Sequence, residues 1–208
     1  GMLPETVVGR LAPKVSELNA SLPVPYRIEV GGTVEESANS QASVKAVIPL
    51  MLLVMVTFLM MQLQSFNMLA LCLIVVPMAM SGVVAALLIF QQPLGFVAIL
   101  GILSLIGMIA RNAVILVEQI EAERAAGKAA WDAVIDAAVS RFRPIILTAI
   151  STVLGLIPIA ATIFWGPMAF AVMGGFLVGT AVTLLFLPAL YVTWFRIRDP
   201  SAAGTGAG

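Results

Sequence analysis

Five long apolar runs, Ala46 to Leu63, Met68 to Phe90, Leu94 to Val117, Pro144 to Trp165 and Met168 to Trp194, are separated by polar breaks. Each is close to the roughly 20 residues that cross about 30 Å of hydrocarbon at a 1.5 Å rise, so the pattern predicts five membrane-spanning helices. Ahead of them the period differs. Val7, Val8, Leu11, Val15, Leu18 and Leu22 recur at helical spacing, with Pro13 expected to kink or divide that helix. Tyr26, Ile28 and Val30 then alternate with Arg27 and Glu29, as in a strand with one buried face that ends at Gly31-Gly32. One strand makes no sheet, so residues 1–43 read as part of a domain whose other strands lie elsewhere.

The connector 118–143 is patterned too. Trp131, Val134, Ile135, Ala138, Val139 and Phe142 share one helical face, opposite Asp132, Asp136, Ser140 and Arg143. This predicts an amphipathic helix over 129–143 lying along the membrane surface, as a spacer or a coupling element, with Pro144 in the first turn of the fourth span. The expected class is an all-α membrane protein, with a membrane domain over 44–195 preceded by a short α+β segment. The small, polar residues from Ser201 to Gly208 place a disordered tail over 196–208.

Composition agrees with a bilayer environment: 61% of residues are hydrophobic and 11% charged, against about 25% charged in soluble domains. The distribution of charge sets an orientation. Breaks 91–93 and 164–167 hold no Lys or Arg, whereas the connector has Arg124, Lys128, Arg141 and Arg143, and the tail Arg196 and Arg198. Positive-inside logic puts the connector and C-terminus in the cytoplasm and residues 1–43 outside. No basic region followed by an apolar core marks a cleavable signal, and Gly1-Met2 reads as a cut end. A formal net charge of zero argues against nucleic acid as a ligand. With no histidine and Cys72 alone, a His/Cys metal site and an internal disulfide are both excluded. No cofactor is indicated. The methionines Met51, Met55, Met78, Met80 and Met108 form no paired ladder and read as gap-filling packing.

Candidate chemistry centres on Arg111, inside the third apolar run, while no apolar run contains an acid to neutralise it. A charge at bilayer depth costs about 2.5 to 3.5 kcal/mol on insertion scales, so this guanidinium should face protein or a wet cavity; snorkelling to headgroups is the competing outcome. Ser104, Arg111 and Glu118 are seven apart, hence nearly on one face, with Asn112 adjacent. Gly95, Ala98, Gly101, Ser104, Gly107 and Ala110 recur every three residues and predict a close-packing ridge. A guanidinium keeps its proton, so Arg111 can only favour the ionised form of a nearby carboxylate and re-pair when that acid is protonated. In the fourth span Thr148, Ser151 and Thr152 could support a proton-conducting water chain, or simply bond their own helix carbonyls; Arg141 lies one heptad before Thr148.

Several motifs in this order resemble one family. The run GMIARNAVILVE from Gly107 to Glu118, RFRPIILT from Arg141 to Thr148, GLIP from Gly155 to Pro158, Gly174-Gly175 and Leu187-Pro188 are similar to the C-terminal part of resistance-nodulation-division (RND) efflux transporters. Tyr26 to Gly32, with Glu35-Glu36, resembles the end of that family's second periplasmic domain. The resemblance covers about residues 5 to 198. It implies that the spans are the last five of twelve, in the C-terminal half of the transmembrane bundle, and that residues 1–43 are a porter-domain remnant. It also implies a proton-coupling set of Arg111, Asn112, Thr148 and Arg141, with Arg111 facing two aspartates of an N-terminal half. Many members have lysine where this chain has Arg111. The implied whole is an inner-membrane homotrimer, a secondary transporter rather than an enzyme. It would exchange protons for amphipathic compounds, with a periplasmic adaptor and an outer-membrane channel as partners. Heavy-metal cation export, a related protein-translocation subunit and a non-transporting scaffold are the alternatives.

Overall fold

The computed structural model describes residues 4–23, 25–29 and 31–197. Gly1-Met2, Val30 of the expected strand and the tail from residue 198 lie outside them. The chain divides into two compact units between Leu53 and Val54.

In the first unit, α1 (Pro4–Ser21) runs through Pro13 without dividing. The proline removes one bond, from its missing N–H to the Gly9 carbonyl, and the helix tolerates that single loss. Residues 26–29 form no strand, and no strand occurs among the described residues. The alternation of Tyr26 and Ile28 lacks a neighbouring strand to pair with. Instead the Asn19 side chain takes that role: its Nδ2 donates to the Ile28 carbonyl at 2.9 Å and its Oδ1 accepts from the Ile28 N–H at 2.6 Å. One side-chain amide thus satisfies both backbone groups of Ile28 and pins the segment to the end of α1. α2 (Thr33–Leu63) begins in this unit.

The second unit contains α3 (Phe66–Ile89), α4 (Phe96–Ala125), α5 (Ala130–Ala160), α6 (Gly166–Ala181), a π-helical turn (Val182–Phe186) and α7 (Leu187–Trp194). The last three run on as one span, Gly166–Trp194; with Asn39–Leu63, Phe66–Ile89, Phe96–Ala125 and Ala130–Ala160 this makes five helices long and apolar enough to cross a bilayer. The chain is an all-α membrane protein. α6 packs against α3, α4 and α5. Lipid tails are as apolar as leucine, so close backbone approach rather than water exclusion holds such helices together. Gly82 on α3 faces Gly174 and Val178 on α6, and Gly179 faces Ile109 and Ala79. Around this crossing Leu71, Val75, Leu105, Ile109 and Phe176 are buried.

Two expectations are revised. The connector is not a separate surface helix, because residues 130–143 are continuous with the fourth span in the 31-residue α5, with Pro144 inside it. Its apolar face is shared: Ala133, Val134 and Ala137 are buried, while Ile135, Val139 and Phe142 are exposed. α5 packs against α4, α6 and α7, and the helix tolerates the single backbone bond that Pro144 removes. The turn between them is tight, with Gly127 at φ +89°, a conformation an L side chain rarely adopts. The every-third ridge on α4 is also only partly used. Ala98, Gly101 and Ala110 are buried, but Ser104 and Gly107 are exposed. A row at three-residue spacing slants across the helix, so a neighbour follows only part of it.

Candidate functional site

α4 presents two opposed faces. Ile109, Ala110, Ala113, Val114, Leu116 and Val117 are buried, which turns Ser104 and Arg111 outward as exposed side chains, with Asn112 and Glu118 half-buried. Among the described residues none forms an ion pair or hydrogen bond with Arg111, Asn112 or Ser104. The arginine therefore stands mid-span on an uncovered face of the bundle.

Two of the three candidate hydroxyls of the fourth span bond their own helix. Thr148 Oγ1 donates to the Pro144 carbonyl at 2.8 Å and Ser151 Oγ to the Thr148 carbonyl at 3.0 Å; both side chains are exposed. Thr152 is half-buried. Arg141 is placed differently: its Nη2 donates to Gln119 Oε1 of α4 at 2.7 Å. Gln119 is eight positions from Arg111, about 12 Å along the helix axis, so Arg141 and Arg111 occupy different levels of α4.

That level holds polar residues the sequence pattern did not single out. On one side of α4, Gln119 Nε2 donates to Glu123 Oε1 at 3.0 Å, and Lys128 Nζ lies 2.7 Å from both Glu123 Oε2 and Asp136 Oδ2. Those two carboxylates raise the Lys128 pKa above its ordinary value, chiefly through the hydrogen bond to Asp136 and then that to Glu123. Toward α7, Arg124 Nη1 donates to the Tyr191 hydroxyl at 2.9 Å and pairs with Glu121 at 3.0 Å, and the fully buried Tyr191 donates to Glu121 Oε1. The available signal was the four-residue spacing of Gln119 and Glu123 and a tyrosine within an apolar run.

Elsewhere, Thr180 just before the π-turn and Thr183 within it are buried with no partner for either hydroxyl among the described residues, whereas Thr193 in the same span donates to the Ala189 carbonyl at 2.8 Å. Cys72 is buried and free. Met55, Met80 and Met108 pack against the core. No group of three or more His, Cys, Asp or Glu side chains gathers among the described residues.

Known proteins resemble this chain in sequence and in fold. The profile of the AcrB/AcrD/AcrF family matches residues 4–194. The cobalt-zinc-cadmium resistance protein CzcA of Cupriavidus metallidurans is 30% identical over 206 residues, covering 95% of this chain and 19% of that protein. The multidrug resistance protein MdtC of Edwardsiella ictaluri is 34% identical over 128 residues, covering 59% of this chain and 12% of that protein. A crystal structure of a heavy metal efflux pump superposes with a TM-score of 0.71 at 28% identity, covering 94% of this chain and 20% of that one. The chain thus spans about a fifth or less of the length of the curated relatives it matches.

Proposed function

The chain belongs to the AcrB/AcrD/AcrF family of RND efflux transporters, and we propose that it supplies the cationic part of a proton-coupling network that drives export of amphipathic compounds across the bacterial inner membrane. The observation that carries this reading is Arg111, exposed in mid-span and paired with no anion among the described residues. Leaving such a charge against lipid costs about 2.5 to 3.5 kcal/mol, and a carboxylate on a covering helix removes that cost. The partner is a transmembrane half bearing paired aspartates. Arg111 holds such an acid ionised, and protonation of the acid releases the pair, which biases the bundle between two states. Asn112 sits beside the cation, Thr148 and Arg141 extend the route along α5, and Ser104, Ser151 and Thr152 are secondary members. The basic α4–α5 connector lies in the cytoplasm and residues 1–43 are periplasmic, as a porter-domain remnant, with the membrane domain over 44–195. The complete transporter is a homotrimer joined to a periplasmic adaptor and an outer-membrane channel.

Heavy-metal cations are the second substrate reading, favoured by the match to CzcA along 95% of this chain. Arg111 serves either cargo, because it answers the proton rather than the substrate. In proteoliposomes containing the complete transporter, Arg111→Ala should reduce proton-driven efflux to background while insertion and trimer assembly persist. Wild-type efflux by that variant refutes the coupling role. Transport of a cationic dye but not Zn²⁺ supports the amphiphile reading, and the reverse supports the metal one.

A further inference from the structure

Gln119 occupies a position whose chemistry is dictated from both sides. On one side the Arg141 guanidinium meets Gln119 Oε1 at 2.7 Å; on the other, the Glu123 carboxylate meets Gln119 Nε2 at 3.0 Å. A guanidinium only donates and a carboxylate only accepts, so the amide has one orientation that satisfies both, and no other side chain of that length offers an acceptor to the first and a donor to the second. Glu123 is itself held. Its other oxygen pairs with Lys128, which also reaches Asp136 on α5. Two rungs therefore cross between antiparallel helices, Gln119 to Arg141, and Glu123 through Lys128 to Asp136. The second rung is largely solvated, with Lys128 43% and Asp136 51% exposed, so it contributes register more than strength. The first is half-buried and charge-assisted.

A neutral anchor has a consequence that a carboxylate would not. Gln119 holds the guanidinium in place without cancelling its charge, leaving the field of Arg141 available at the start of the membrane-spanning part of α5. We propose that Gln119 is a positioning residue for the coupling route, fixing Arg141 through an uncharged hydrogen bond and tying it to the Glu123–Lys128–Asp136 rung. This rests on the reading of Arg141 as a member of that route. The other charged groups along this stretch are Glu118, Glu121, Glu123 and Arg124 on α4, Lys128 in the turn, and Asp132, Asp136 and Arg143 on α5.

The test measures proton-driven dye efflux against pH in the complete transporter. Gln119→Leu should lower the rate about fivefold, the scale of one lost hydrogen bond, and move the pH midpoint in the same direction as Arg141→Ala. Added to Arg141→Ala, it should change nothing further, because the two act as one unit. Gln119→Glu keeps an anchor but neutralises the guanidinium, so it should insert normally and still shift the midpoint. Tyr191→Phe breaks the other polar clamp on α4 and should leave the midpoint unmoved. A wild-type profile in Gln119→Leu, or in Gln119→Glu should the leucine variant fail to insert, overturns the positioning role alone. A wild-type profile in Arg141→Ala overturns the reading of Arg141 and the inference together.

Discussion

Gly82→Ala tests the helix crossing on which the bundle depends. A Cβ at this position would lie 2.5 Å from the Gly174 carbonyl oxygen, 2.6 Å from Val178 Cβ and 2.7 Å from Val178 Cγ2. The first two belong to α6 backbone or are rooted directly on it, so no rotamer change removes them. Restoring ordinary contact requires α3 and α6 to part by roughly 1 Å, a gap that forfeits a quarter to a half of the dispersion well for each facing atom pair. Overpacking of this kind costs about 1 to 3 kcal/mol, and the backbone contact puts Gly82 at the upper end. Alanine returns about 1 kcal/mol of helix propensity. The net loss is about 2 kcal/mol, or roughly 30-fold in the folded-to-unfolded ratio. Gly155→Ala is the internal comparison, since a Cβ there meets nothing within 4 Å; it should be neutral or stabilising. Unfolding of the purified chain in mixed micelles, followed by circular dichroism through an SDS titration, measures both. Equal midpoints for the two variants, or a Gly82→Ala variant as stable as wild type, would refute close backbone approach as the source of bundle stability.

Other substitutions probe the polar groups. Thr148→Val removes a hydroxyl that donates to the Pro144 carbonyl, and efflux by the complete transporter should fall less than for Arg111→Ala; unchanged pump rates would confine Thr148 to bonding its own helix. Tyr191→Phe deletes the buried hydroxyl between Glu121 and Arg124, with an expected loss of about 1 to 3 kcal/mol. A thermal unfolding midpoint in detergent equal to wild type would show that this clamp carries no stability.

Much of this was legible along the chain because the bilayer is a severe solvent. Runs of some 20 apolar residues admit few structures other than helices, and a lone arginine among them stands out without any knowledge of packing. The strand expected from Tyr26 and Ile28 does not form among the described residues, since period-two alternation describes a side-chain pattern and not the existence of a pairing partner; Asn19 met the backbone of Ile28 instead. The continuity of α5 through Pro144 was hidden for a related reason. A proline signals a helix start or a kink locally, and whether the helix goes on depends on tertiary packing, here of α5 against α4, α6 and α7.

The amino-acid order by itself determined the five helices and the cation at Arg111 with no acid in its own apolar run, because each depends on local composition or on counting residues against a bilayer thickness. Tertiary structure alone decided which faces meet: that Gly82 lies against Gly174, that Ser104 and Arg111 point away from the bundle, and that Arg141 reaches Gln119 rather than Arg111. These are contacts between residues far apart in the chain. They follow from helix register and crossing geometry, which no single segment encodes.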